Sequence, residues 1–518
     1  MVSKHRVISN LYRDSVSLMQ VSSTLASREG VQEAYAVMAT PANLDLLRDA
    51  GVDVGAISAG PNDVVIVIEG EDEGAVEEGL AAAEDVLFRE EAPVSEGVAE
   101  RPPRSILLAV RDLPEANLAL ISTPGEYAAA EALKALQAGL HVMIFSDNVS
   151  LDDEIAIKER AHGRGLLAMG PDCGTAIING VPLGFANVVR RGPIGAIGAS
   201  GTGLQQVTSL VDRWGQGISQ AIGTGSHDLH SRVGAITMLD ALDALAADEE
   251  TEVIVLISKP PAAEVARRVL ERARAAGKPV VVEFVGAEDT EAPGEGLTMV
   301  HTLDEAAARA VALAGGEAPE ALAELPLEAG APRFAEGQRY LRGLFSGGTF
   351  AYEATLLLEE ALGTVYSNTP TNPAHTLDDP WKSREHTTVD LGDDEFTRGR
   401  PHPMIDYRLR VERLIEEARD PQVAVVLLDV VLGHGAHEDP AGELVPAIGE
   451  ARRIAHEAGR ELAIVASVCG TERDPQDLAG QERALREAGV ILGRSNAHAA
   501  RIAAHILRSA GGQREAGR

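Results

Sequence analysis

Apolar and polar positions follow two rhythms along the chain. Between residues 5 and 89, HRVISNLY, VQEAYAVMAT and DVVIVIEG read as strands, while DSVSLMQVSSTLA, ANLDLLRDAG and EGAVEEGLAAAEDVLFR carry helical spacing. Their order predicts a small α+β domain over 1–89, of the split βαβ kind. EEAPVSEGVAERPPRS has no periodicity and is rich in proline and charge, which predicts a linker over 90–105. From 106 onward strand and helix alternate strictly. ANLALIST, HVMIFS, GLLAMG, IGAIGAS, VIVLIS and PVVVEFVG are buried-type strands, and the helices between them predict right-handed crossovers and parallel sheets. A second linker is expected over 316–336, after which LRGLFSGG, VAVVLLDVV, ELAIVASV and GVILG resume the rhythm.

The second half repeats the first. IGAIGASGTGLQQVTSLVDRWG (194–215) aligns with LRGLFSGGTFAYEATLLLEEALG (341–363), each an apolar strand, a glycine turn and an amphipathic helix. TEVIVLISKPPAAE pairs with PQVAVVLLDVVLGHGAHED, and GKPVVVEFVGAED with GRELAIVASVCGTERD. A duplicated flavodoxin-like unit follows, in place of a solenoid of short repeats. The expected division is a Rossmann domain over 106–190, a first flavodoxin-like domain over 191–315 and a second over 337–510.

Composition narrows the function. The 518 residues hold 79 acidic and 46 basic side chains, a net charge of −33, which argues against nucleic acid as a partner. Aromatic residues make up 3%, too few for base-stacking platforms. A small anionic substrate remains compatible if a local positive site receives it. The two cysteines, Cys173 and Cys469, exclude a disulfide scaffold and a four-cysteine zinc site. No apolar run is long enough for a membrane helix, and Lys4, Arg6, Arg13 and Asp14 precede any long apolar stretch, unlike a secretory signal. A cytoplasmic protein without a membrane partner is expected.

Candidate chemistry centres on the two repeated turns. Ser200, Gly201 and Thr202 close one strand and open one helix, and Ser346, Gly347, Gly348 and Thr349 do the same in the second copy. A helix start offers unpaired N–H donors and the positive end of the dipole, a setting for phosphate worth about 0.3–2 kcal/mol per end. The alternative for either turn alone is an ordinary N-cap. STPGEY supplies Thr123 and Pro124, SDNVSLDD supplies Asn148, and GPDCGT supplies Asp172 and Cys173. All three stretches follow strands where doubly wound sheets bind ligands, and together they predict a nucleotide-like cleft, the alternative for each alone being an ordinary strand-to-helix turn. Cys173 reads as a buried structural thiol more readily than as a nucleophile. The long loop 390–406, DLGDDEFTRGRPHPMID, gathers Asp393, Asp394, Arg398, Arg400, His402 and Asp406. Its arginines suit a carboxylate or phosphate, His402 a proton transfer, and the Asp pair a hydrated Mg²⁺. His434, His437 and Glu438 lack the spacing of a helical zinc motif, so no resident metal is expected.

The run ANLALISTPGEYAAAEALKALQAGLHVMIFSDNVSLDDEI, followed by MGPDCGT and IGAIGASGTG, resembles the α-subunit of succinyl-CoA synthetase. DSVSLM, ATPAN, FANV, SKPP, SGGT, DLGDD, GRPHPMID, LLDVV and GTERDP extend a closer resemblance, over residues 5–505, to the FdrA proteins, often labelled acyl-CoA synthetases. The resemblance implies an N-terminal domain, a CoA-binding-type Rossmann domain and two ligase-like flavodoxin domains. It also implies that both Ser–Gly–Thr helices point at one phosphoryl site. The phosphohistidine loop of the synthetases falls at 285–299, where this sequence has no histidine, and SKPP with Lys259 replaces their Gly–Glu–Ile–Gly–Gly segment. No stretch resembles the nucleotide-grasp domain of the partner subunit, and whether CoA still binds is left open.

The FdrA resemblance further implies a subunit of an oxamate carbamoyltransferase of allantoin and purine breakdown, acting with two companion subunits in an oligomer. Oxalurate and phosphate would give oxamate and carbamoyl phosphate. Phosphate would sit on the two turns, Lys259, Arg398 and Arg400 would balance charge, and His402 would protonate the leaving nitrogen. The alternatives are an ADP-forming acyl-CoA synthetase and a non-catalytic scaffold.

Overall fold

The computed structural model describes residues 2–516 except 10, 12, 14, 27, 29, 71, 89–102, 285–295, 318–331 and 398–399. Most of the two expected linkers thus lies outside the described residues.

In the N-terminal domain, strand Val64–Gly70 lies between Val2–Ile8 and Val31–Met38 and runs antiparallel to both. This is the split βαβ arrangement. Alternation buries both faces of the middle strand. Val64, Ile66 and Ile68 pack with Leu18, Leu25, Val76 and Leu80 of two helices, whereas Val65 and Val67 pack with Leu47 and Val52. Arg408 reaches this domain from the C-terminal half, 3.5 Å from Glu33.

Leu118–Ile121, His141–Ile144 and Ala168–Met169 form a small parallel sheet. A seven-stranded sheet follows, in the order Leu297–Val300, Val280–Phe284, Val253–Ser258, Arg191–Gly198, Ile218–Gly223, Thr175–Ile178, Val181–Gly184. Its first five strands are parallel and give the doubly wound order 2-1-3-4-5. The last two differ from the sequence expectation, which placed 175–184 with the preceding domain. Asn179 and Gly180 both take positive φ (52° and 80°), the turn that folds an antiparallel hairpin, and this hairpin extends the larger sheet.

The second copy repeats the same order. Thr387–Asp390, Tyr340–Phe345, Val423–Val431, Ala463–Cys469 and Ile491–Gly493 are all parallel, with Tyr366–Ser367 added at the edge. One core joins the copies. Leu204, Val207 and Leu210 of helix Gly201–Arg213 share it with Phe350, Ala354 and Leu358 of helix Gly348–Leu362. The switch point of each sheet lies between its first and third strands, and the two glycine turns sit at those two points.

Candidate functional site

The first turn is an ordinary N-cap with an unusual neighbour. Ser200 takes extended backbone angles and accepts the Gly203 N–H at 2.9 Å, which leaves the Gly201 and Thr202 amides without intrahelical partners. Its Oγ also lies 2.5 Å from Thr349 Oγ1 of the second copy. Gly347 packs against Thr202 so closely that a Cβ there would lie 2.7 Å from the threonine methyl, so no side chain fits at 347. The two helix starts therefore meet, and a recess opens beside them, lined by Asp172, Cys173, Thr175, Ser200 and Gly201 among others.

The second turn differs in its hydrogen bonding. The Ser346 and Gly347 amides and the Ser346 hydroxyl all donate to the Asp429 carboxylate, at 2.9–3.1 Å. Asp429 and its ion-pair partner Arg410 are fully buried, 2.8 Å apart. Ser346 and Gly347, expected to donate to phosphate, are thus committed internally. Gly348 and Thr349 are the residues of this turn whose helical position leaves their amides unpaired. A second carboxylate stands beside them, with Asp390 Oδ2 2.5 Å from the Cβ position of Gly348 and Lys259 Nζ 3.8 Å from the same point. Burial pushes the Asp390 carboxyl up to about 6, against the opposing charge of Lys259.

His402 is half-buried with its ring 5.8 Å from Phe185. Its Nδ1 accepts the Met404 amide at 3.2 Å, which places the proton of the neutral ring on Nε2. Desolvation, then the nearby Arg410 charge, holds it down at about 4. A proton donor near neutral pH, the role expected of His402, does not match these surroundings. Arg400 lies 5.5 Å over the Trp381 ring. Its charge acts on Glu33 and Tyr35 of the N-terminal domain. Arg398 lies outside the described residues. Asp406 pairs with Arg408 at 2.7 Å, and Asp393 caps the Glu395 amide.

The three cleft loops do converge. The Ser146 hydroxyl donates to the Thr123 carbonyl at 2.5 Å, and the Asp172 amide to the Ser146 carbonyl at 2.9 Å. Pro124 caps helix Gly125–Gln137. Asn148 and Asp172 hold left-handed backbone angles, φ 53° and 54°, which Asn and Asp adopt more readily than other residues with a side chain. The hydroxyls of Ser122 and Thr123 are buried without a partner. The Cys173 thiol is buried and pushed up to about 12, so it is an inert packing group. The His434 amide donates to the Ala186 carbonyl and the His437 amide to the Met404 carbonyl. Among the described residues no group of three or more His, Cys, Asp or Glu side chains is placed to hold a metal.

Sequence reasoning missed Asp390, Arg410, Asp429 and Phe185. Asp429 lies inside the apolar run VAVVLLDVV, and a charge in a fully buried strand was the available signal.

Three family models match this chain. Residues 1–103 match AllF, heavy metal-associated domain, 190–286 a CoA binding domain, and 344–506 a CoA-ligase. Over 503 residues, 96% of this chain and 97% of the relative, it is 47% identical to the uncharacterized protein YahF of Escherichia coli. The chain belongs to the FdrA-like family. It is also 31% identical over 193 residues to subunit alpha-2 of the ADP-forming succinate–CoA ligase of Trichomonas vaginalis, across 35% of this chain and 59% of that protein. It is 26% identical over 162 residues to SauD, a subunit of the ADP-forming sulfoacetate-CoA ligase of Bilophila wadsworthia, across 30% of this chain and 54% of that protein. The chain thus spans little more than half the length of either ligase subunit. A Ca. Korarchaeum cryptofilum acetyl-coenzyme A synthetase, solved with phosphate and ADP, matches 82% of this chain and 88% of its own at 16% identity and a TM-score of 0.34.

These matches correct the expectation of a carbamoyltransferase. Two of the three family models are of CoA-binding and CoA-ligase type, and the two related subunits named above are those of CoA ligases. The acyl-CoA ligase alternative is the better supported. Residues 1–103, which match the heavy metal-associated model, contain no cysteine. Among the described residues no helix is long and apolar enough to cross a membrane.

Proposed function

We propose that this chain carries the acyl-transfer half of an acyl-CoA synthetase of the ADP-forming type, exchanging an acyl-CoA and phosphate for an acyl phosphate and free CoA. The observation behind this reading is the contact between Ser200 and Thr349, which joins two helix starts at the switch points of two duplicated sheets. Phosphate would lie against the Gly201, Thr202, Gly348 and Thr349 amides, with the Lys259 ammonium offsetting its charge. A phosphate oxygen forms a bond to the acyl carbon, the C–S bond breaks, and the electron pair leaves on the thiolate, which takes up the proton released by phosphate. CoA is written here as a substrate. The loops carrying Thr123, Pro124, Asn148, Asp172 and Cys173 suit it because they are hydrogen-bonded to one another, Asp172 and Cys173 line the recess, and the Ser122 and Thr123 hydroxyls are left unpaired. The segment expected to carry a phosphohistidine has no histidine, so the acyl phosphate leaves this chain as product without passing its phosphoryl group to it. The nucleotide-dependent step falls to a companion subunit, in an oligomer.

The test is release of free thiol from a panel of short acyl-CoA and dicarboxylic acyl-CoA thioesters, with and without phosphate or arsenate. Phosphate-dependent release that disappears when Ser200→Ala is combined with Thr349→Ala is the expected result. No release from any member of the panel would sink the reading.

A further inference from the structure

Asp390 is an odd residue to find at a phosphate site. It ends strand Thr387–Asp390 and is 7% exposed. Both main-chain groups are held by Asn368, at 2.9 and 3.0 Å, and Oδ1 accepts the Gly392 amide at 3.0 Å. These bonds fix the carboxylate so that Oδ2 faces the start of helix Gly348–Leu362, on the side where Lys259 also stands. An anion seated on the Gly348 and Thr349 amides would meet a fixed carboxylate oxygen.

We propose that Asp390 makes this site selective for an anion that still carries a proton, so that it accepts phosphate and arsenate and refuses sulfate. The proposal rests on the phosphate placement given under Proposed function. Phosphate near neutral pH keeps a P–O–H group, which donates to Asp390 Oδ2 and turns a repulsion into a hydrogen bond. Sulfate has only acceptors, so two acceptors would face each other with no proton between them. A site built around one required hydrogen bond rejects the analogue lacking it far more strongly than shape alone does.

The charged and titratable groups facing Asp390 are Lys259 from the loop after Val253–Ser258, Asp393 from its own loop, Asp429 from Val423–Val431 and His402 from the following loop. Asp429 is bound to Arg410 and to the turn amides. His402 stays neutral down to about 4. Asp390 and Asp172, which lines the recess beside Ser200, are both raised to about 6 by burial, and Asp390 is the one of the two that stands against the start of helix Gly348–Leu362, where its protonation changes the site under mildly acidic conditions. Once protonated it becomes a donor, and the bar to sulfate falls.

The test is calorimetric titration of the full chain with inorganic phosphate and with sulfate, near pH 7.5 and near pH 5, for the wild type and Asp390→Asn. At the higher pH the wild type should prefer phosphate by at least about 100-fold. The preference should shrink to within about tenfold near pH 5, where the carboxyl carries a proton. Asp390→Asn, checked for folding by its melting temperature, should show the smaller preference at both pH values. An unchanged preference in folded Asp390→Asn overturns the proposal. If that variant fails to fold, sulfate that binds the wild type no better near pH 5 overturns it. Absence of phosphate binding by the wild type overturns the phosphate placement itself, a result distinct from binding without selectivity.

Discussion

The two glycine turns come from one duplicated design, yet they are finished differently. At the first, Ser200 caps its own helix and the next two amides stay unpaired. At the second, Asp429 from a neighbouring strand takes the Ser346 and Gly347 donors, and Asp390 crowds Gly348. An equal pair of anion cradles would follow from the local sequence alone. The contrast teaches that a helix start binds an outside anion only to the extent that the fold has not already supplied one. We read the first turn as the main phosphate cradle and the second as the side that checks what is bound.

The largest effect is expected from Asp429→Ala, which leaves Arg410 buried without its partner. A loss of about 3–5 kcal/mol of stability, read in chemical denaturation, is the expected outcome. A loss below about 1 kcal/mol would mean that the second turn does not depend on its internal carboxylate. Gly347→Val ranks next. Its Cβ would meet the Thr202 methyl at 2.7 Å, so about 1–3 kcal/mol of stability and all phosphate binding should go. Gly201→Ala meets a softer neighbour, the Thr175 hydroxyl at 3.0 Å, and should be clearly milder than the valine at 347. Equal damage from both would erase the asymmetry. Ser200→Ala removes a cap and should cost about 1 kcal/mol, measured as a lower melting temperature.

A stabilising change probes the junction of the two halves. Glu283 of the first copy is fully buried with both carboxylate oxygens unpartnered. Burial, then the neighbouring Glu353, Glu305 and Asp304, raises its carboxyl well above the usual range. Glu353 of the second copy is raised to about 7, again chiefly by burial. Because these folded values exceed the unfolded ones, stability is full at low pH and declines as pH rises above about 4.5. Glu283→Gln should melt higher than wild type near neutral pH and show a shallower decline. A lower melting temperature at neutral pH would mean that an ionised Glu283 has a partner.

Much of the fold was legible because periodicity reports burial directly. The split βαβ domain, the parallel sheets and the duplicated turns all leave runs of apolar residues at strand or helix spacing. The hairpin at 175–184 was not read from the sequence because its strands are short, although Asn179–Gly180 carries a turn signal. The site was legible only where it is local. Ser200 and Thr349 were marked as helix starts, but Asp390 and Asp429 act across strands 40 to 80 residues away from the turn they serve, and no spacing rule exposes such contacts. His402 was legible as a reactive residue type and illegible as a neutral, half-buried one, because its burial and the nearby Arg410 charge are set by the tertiary fold. The function expected from the FdrA resemblance was overturned by the ligase matches, while the fold it implied was upheld.

The account rests on the two turns forming one anion site. Calorimetric titration of inorganic phosphate into the wild type, Ser200→Ala, Thr349→Ala and the double variant tests that most directly. One phosphate per chain is predicted, weakened by either single change, with the double variant losing less than the sum of the two by about 0.5 kcal/mol or more. Two phosphates per chain, or losses that simply add, would contradict a shared site.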